Sequence, residues 1–210
     1  LALDAGIPAG VFNVLPGYGH TVGKALALHM DVDTLVFTGS TGIAKQLLVY
    51  AGESNMKRVW LEAGGKSANI VCADAPDLQV AAQAAAAAIA FNQGEVCTAG
   101  SRLLVERSIK EDFVAMVIEA LRAWVPGHPL DPISMAGAVV DHQHLQSVLA
   151  HIDRARKQGA ILRGGGRQVR AESGGAYVEP TLFDGVDNAM DIAREEVFGP
   201  VLSVISFDSL

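Results

Sequence analysis

Short apolar runs alternate with longer stretches in which apolar positions recur every three to four residues, the pattern of strands interleaved with helices. Residues 11–15 read as a short strand, followed by a glycine-rich turn and a helix over about 21–30. Residues 34–37 predict a second strand, and a helix opens near Ser40 and runs to about Tyr50. Two further strands, 58–61 and 68–72, flank the Gly64-Gly65 turn. A helix then follows Pro76, spans 77–93 and stops at Gly94.

The next helix carries a capping box, with Ser108 at its N-cap and Glu111 three residues on. Ile109, Phe113, Met116, Val117, Ala120 and Trp124 form its apolar face. A third long helix begins at Asp141, turns Leu145, Val148, Leu149 and Ile152 inward, and ends at Gly159. Residues 160–162, 177–183 and 201–207 predict strands, the last of them stopping without a partner. The alternation predicts an α/β fold with a largely parallel sheet and no internal repeat. Units are short and turn-rich before residues 62–66 and longer after them, which places a domain boundary there. Residues 1–5 look like the end of a helix whose start is missing, so the chain reads as an internal segment of a longer protein.

Composition narrows the class. Half of the 210 residues are hydrophobic and 19% are charged, as in a globular protein. A net charge of -7 argues against nucleic acid or an anionic membrane surface as partner. The alanine-rich stretch 84–90 is far shorter than the roughly 18 apolar residues a membrane-spanning helix needs. Two cysteines make no disulfide framework, and the expected setting is a reducing cytoplasm. Six histidines supply no metal-ligand set; His142 and His144 point to different faces of a helix start, and surface or capping roles are expected of them.

Four segments could carry chemistry. In Asn92-Gln93-Gly94-Glu95-Val96-Cys97, the cysteine follows a helix-ending glycine and lies in a loop that a substrate can reach, whereas Cys72 sits inside an apolar strand and reads as structural. A helix C-terminus disfavours a thiolate, so activation of Cys97 must come from another group. In Leu61-Glu62-Ala63-Gly64-Gly65-Lys66, Glu62 closes a strand before two glycines, a place for catalysis or equally for an ordinary strand-end charge. Phe37-Thr38-Gly39-Ser40 runs from strand into a helix N-terminus and offers backbone N–H groups to a phosphate. Upstream, Gly17, Gly19 and Gly23 form an off-pattern dinucleotide turn that also fits a plain turn. Glu195-Glu196-Val197-Phe198-Gly199-Pro200 decides nothing alone.

In this order and at these separations, the four segments resemble the successive signatures of the aldehyde dehydrogenase superfamily, and the resemblance covers essentially the whole chain. It implies part of a Rossmann-like NAD-binding domain over residues 1–62, followed by most of the α/β catalytic domain over 63–210. It implies Cys97 as nucleophile and Glu62 as general base, on opposite sides of a shared cavity. Gly19, Gly39, Ser40, Gly64, Glu196 and Phe198 would contact NAD, with NADP possible: Ser40 at the pyrophosphate, Glu196 at the nicotinamide ribose, Phe198 near the nicotinamide. Asn92 is not the family's oxyanion asparagine, which lies upstream of Leu1. Ala63 stands where many relatives have leucine, and Ala44 where many have glycine. Residues 54–69 look most like bacterial enzymes of polyamine breakdown that oxidise γ-glutamyl-aminobutyraldehyde. A small aldehyde as substrate, a homodimer or homotetramer as assembly, and negligible turnover by the 210-residue piece alone are further implications. The competing readings are an acylating dehydrogenase that hands its thioester to coenzyme A, and a catalytically retired relative used as a binding protein. Glu62 speaks against the first, and the joint presence of Cys97, Glu62 and Glu196 against the second.

Overall fold

The computed structural model describes residues 1–208, and the chain divides into two compact units, Leu1–Gly64 and Gly65–Leu210. The first unit opens with a π-helical turn, Gly19–Gly23, that runs into helix α1 (Lys24–Leu28). Strand β1 (Thr34–Gly39), helix α2 (Thr41–Gly52) and strand β2 (Arg58–Ala63) follow as a βαβ unit. β1 and β2 are parallel, with Thr34 opposite Arg58 and Gly39 opposite Ala63. α2 buries Ala44, Leu47 and Ala51, one stripe at helical spacing. Ser40 is its N-cap, its Oγ accepting from the Ile43 N–H at 3.4 Å. The buried Lys57 ammonium donates to the Ala27 carbonyl at 2.5 Å and to Ser54 Oγ at 2.9 Å, satisfying a carbonyl near the end of α1.

The second unit is a three-layer α/β/α sandwich. Its five strands run in the order β3 (Ala68–Val71), β4 (Arg102–Glu106), β9 (Val201–Phe207), β8 (Thr181–Asp184) and β5 (Ile161–Gly164). The first four are parallel and β5 is an antiparallel edge. A small hairpin, β6 (Gln168–Val169) with β7 (Tyr177–Val178), stands apart. Helices α3 (Leu78–Ala90) and α4 (Lys110–Leu121) cover one face, α5 (His142–Lys157) and the short α6 (Asp191–Arg194) the other. Strand alternation sorts the side chains: Leu182, Leu202 and Val204 join α3 and α4, while Phe183 and Val201 join α5 and α6. Strands buried on both faces read as near-continuous apolar runs, which is what parallel order requires.

Several expectations need correction. Residues 11–15 form no strand: they join no ladder among the described residues, and Val11, Phe12, Val14 and Leu15 are exposed. A β-pattern without a neighbouring ladder has nowhere to put its backbone groups except water. The helix predicted over 77–93 ends at Ala90, because Asn92 and Gln93 turn left-handed. The capping box is absent: Ser108 donates instead to the Glu106 carboxylate at 3.0 Å, Glu111 pairs with Lys110 at 3.0 Å, and α4 starts after Ile109. Charged partners outcompete the backbone there. Pro180 splits the 177–183 run into β7 and β8. β9, expected to lack a partner, is paired on both sides, by β4 and β8.

Leu202 is fully buried in the central strand. Leu202→Ala is expected to lower the unfolding free energy by about 2–5 kcal/mol. Leu130→Ala, on an 86% exposed side chain, should stay within about 0.5 kcal/mol of the parent. Urea unfolding followed by circular dichroism measures both; equal losses would contradict this sheet order.

Candidate active site

The candidate residues divide between the units. In the first, Ser40 and Glu62 share one end of the sheet. β1 and β2 both finish there: Thr38 lies opposite Glu62, Gly39 precedes the Ser40 cap, and Glu62 is exposed. The carboxyl edge of a parallel sheet leading into a helix N-terminus offers outward N–H groups. A Cβ on Gly39 would stand 2.5 Å from the Phe37 ring, which would have to shift to admit it. Gly64 closes the unit just beyond β2. Gly19 begins the π-helical turn at an exposed position, at some remove in sequence from the β1 and β2 ends.

In the second unit the relevant residues gather at the amino ends of three neighbouring parallel strands. Lys66 leads into β3, the Cys97 loop into β4, and residues 196–200 into β9. The ladder sets these entries side by side, with Ala68 opposite Arg102 and Arg102 opposite Ser203. Glu196 Oε1 accepts from the Gly65 N–H at a long 3.4 Å, and a Cβ on Gly65 would lie 3.5 Å from the Cys97 carbonyl oxygen. A narrow crevice is lined by Gly65, Gly94, Val96, Glu196, Phe198 and Gly199. Cys97 is exposed beside it; Cys72 is half-buried just past β3. A cavity of about 510 Å³ opens elsewhere, near Trp124, Arg163, Arg170 and Pro180, and holds no candidate residue.

The Cys97 loop is held in an unusual backbone. Asn92, Gln93 and Gly94 are all left-handed, with φ of 48°, 56° and 72°, and each non-glycine residue of this kind costs roughly 1–3 kcal/mol. The loop's own side chains offset that cost by bonding backbone far away in sequence. Gln93 Oε1 accepts from the Gly137 N–H at 2.9 Å, and Glu95 Oε1 accepts from the Val140 N–H at 3.0 Å. Gly94 is obligatory: a Cβ would collide with the Gly199 carbonyl. Phe198, 40% exposed, is left-handed too, with φ of 53°.

Sequence reasoning missed Gln93, Glu95, His144 and Lys66 as parts of this site. Gln93 and Glu95 were visible as polar residues on the approach to Cys97, but their partners lie more than forty residues away, with separations of 44 and 45. Lys66 gave no signal beyond its place after two glycines. Its ammonium is buried with no hydrogen-bond partner among the described residues. Among those residues no His, Cys, Asp and Glu cluster suits a metal ion, and no helix is long and apolar enough to cross a membrane.

A family model described as "Aldehyde dehydrogenase family" matches residues 1–210. The chain belongs to that family. It is 52% identical over 209 residues to the NADP/NAD-dependent aldehyde dehydrogenase PuuC of Escherichia coli (strain K12), spanning all of this chain and 41% of that protein. The crystal structure of an indole-3-acetaldehyde dehydrogenase complexed with NAD+ matches with a TM-score of 0.97 and 73% identity, over 99% of this chain and 42% of that one. The γ-glutamyl-γ-aminobutyraldehyde dehydrogenase of Burkholderia cenocepacia J2315 matches with a TM-score of 0.95 and 58% identity, over 100% of this chain and 42% of that one. The aldehyde dehydrogenase α/β fold is thus shared throughout, and the chain spans about two-fifths of the length of these relatives.

Burial holds the Lys66 ammonium down to about 8, helped by the Arg102 charge and opposed by Glu196. The folded chain therefore binds this proton less tightly than the unfolded chain, whose lysines titrate near 10.5. Charging Lys66 penalises the fold: fully below pH 8, progressively less up to 10.5, and not at all above it. Lys66→Met is expected to raise the unfolding free energy at neutral pH, with the gain vanishing as pH approaches 10.5. Urea titrations across that window measure it; a gain independent of pH would contradict a buried ammonium.

Proposed function

We propose that the full-length protein carrying this chain oxidises an aldehyde to a carboxylic acid with NAD or NADP. The observation that supports this most is an exposed Cys97 on a strained, pinned loop beside a crevice that also holds Glu196 and Phe198. In this reading residues 1–62 belong to the dinucleotide-binding domain and 63–210 to the thiol-bearing catalytic domain.

The residues suit the cofactor. The N-terminus of α2, with Ser40 as its cap, has first-turn N–H groups for the pyrophosphate. Gly19, Gly39 and Gly64 would let backbone approach it. Glu196 spends one carboxylate oxygen on a long bond to Gly65 and keeps acceptor capacity for ribose hydroxyls, and Phe198 offers a ring beside it. When bound, the cofactor supplies the hydride acceptor.

The Cys97 thiolate attacks the aldehyde carbon, forming a C–S bond and a thiohemiacetal oxyanion. The Cys97 backbone N–H is one donor for that oxyanion. Loss of hydride from the same carbon leaves a thioester on Cys97. Glu62 then takes a proton from water, the resulting hydroxide adds to the thioester carbonyl, and the Cys97 sulfur leaves as the acid forms. This requires Glu62 and Cys97 to face one cavity in the folded enzyme. Identity to relatives named for γ-glutamyl-aminobutyraldehyde and for indole-3-acetaldehyde supports a small aldehyde as substrate, with the former as first choice from residues 54–69. The unpaired cysteines support a reducing, cytoplasmic setting, and the family resemblance supports a homodimer or homotetramer. A 210-residue piece spanning two-fifths of such an enzyme should bind cofactor weakly and turn over negligibly.

In the full-length protein, Cys97→Ala is expected to abolish NADH production from an aldehyde panel, while Cys72→Ala keeps most of it. Equal losses would defeat the assignment. Glu62→Gln should slow turnover by about 10²–10⁴-fold and leave a first-turnover burst of NADH with a thioester on Cys97, detectable by intact mass. A Glu62→Gln enzyme with normal steady-state turnover would remove Glu62 as the base.

A further inference from the structure

Two loops with different tasks in the proposed reaction meet at one imidazole. His144 lies in the first turn of α5, where Asp141 caps the helix and accepts the His144 backbone N–H at 2.7 Å. Its Nε2 stands 2.7 Å from the Phe198 carbonyl oxygen and 3.6 Å from Glu95 Oε1. Both neighbours are acceptors, so this nitrogen carries the hydrogen. The imidazole also meets the Phe198 ring edge-on, centroids 6.2 Å apart. Both polar side chains are largely covered, at 19% exposure for His144 and 11% for Glu95. Phe198 is the left-handed residue of its loop, and the carbonyl held by His144 is its own. Glu95 lies two residues before Cys97, and its carboxylate is fixed by the Val140 N–H just before α5. The helix N-terminus favours a carboxylate there, so Glu95 has an electrostatic reason to stay.

We propose that His144 is a positioning residue: its imidazole N–H bonds the Phe198 carbonyl while the ring packs beside the Glu95 carboxylate, so that the loop bearing Cys97 and the loop bearing Glu196 keep a common register. Its catalytic consequence rests on the dehydrogenase function proposed for the full-length protein; the coupling of the two loops does not. An aromatic ring without a donor at this position leaves the packing and frees the carbonyl. A side chain with an amide donor restores the bond without the ring.

The test compares His144→Phe and His144→Gln in the full-length protein. Peptide mass spectrometry measures the alkylation rate of Cys97 by iodoacetamide without cofactor, and steady-state kinetics measures the KM for NAD+. His144→Phe is expected to shift both by about threefold or more, and His144→Gln to bring both back to within about twofold of the parent. Both variants should unfold thermally within about 2 °C of the parent. The proposal is overturned if His144→Phe leaves both readings unchanged, or if His144→Gln is as impaired as His144→Phe. Should His144→Phe fail to fold, His144→Asn, whose amide is a bond too short, takes its place beside His144→Gln, and the same two results overturn the proposal. Normal turnover by Cys97→Ala would bring down the dehydrogenase function alone, because the alkylation rates still decide whether His144 joins the loops.

Discussion

The second unit turns on a backbone contact with no side chain in it. Gly94 presses against the Gly199 carbonyl so closely that even a methyl group would collide with it. One glycine ends the approach from α3 and the other precedes β9, so the contact fastens two chain segments that are about a hundred residues apart. Left-handed residues on both sides of it cost conformational energy. They persist because Gln93, Glu95 and His144 reach across to backbone groups and hold the geometry from outside. Strain and its restraints are found together around the same thiol.

Sheet topology explains why these segments meet. β4 and β9 are adjacent and parallel, so the chain must enter both from the same side. Any residues just upstream of the two strands become neighbours, however far apart they are in sequence. The usual expectation for open α/β sheets places chemistry at carboxyl ends. Glu62 and Ser40 in the first unit obey it, whereas Cys97, Glu196 and Lys66 sit at amino ends. The same parallel order can therefore assemble groups at either rim.

How much of this was legible in the sequence depended on the range of the interaction. α5 was read nearly residue for residue, because its Asp141 cap, apolar stripe and terminal glycine are local signals. β9 was recognised as a strand, but nothing in seven apolar-rich residues says which neighbours will pair with it. The capping box at Ser108 failed because a nearby carboxylate offered the hydroxyl a stronger partner. Cys97 stood out by its loop setting, and the order of four motifs carried the family. Gln93, Glu95 and His144 stayed hidden because their partners are backbone atoms, and backbone atoms leave no mark in a sequence.

The buried face of α3 is almost all alanine: Ala82, Ala85, Ala86 and Ala90, with Ile89 beside them. Methyl groups set how closely this helix packs against α4 and the rest of their shared core. A valine or leucine on that face would lift the whole cylinder, and because the Cys97 loop leaves directly from its last turn, the sulfur would be carried along. Divergence in this lineage should therefore run through the helix's solvent side, with its underside held to the smallest side chains for reasons of altitude alone.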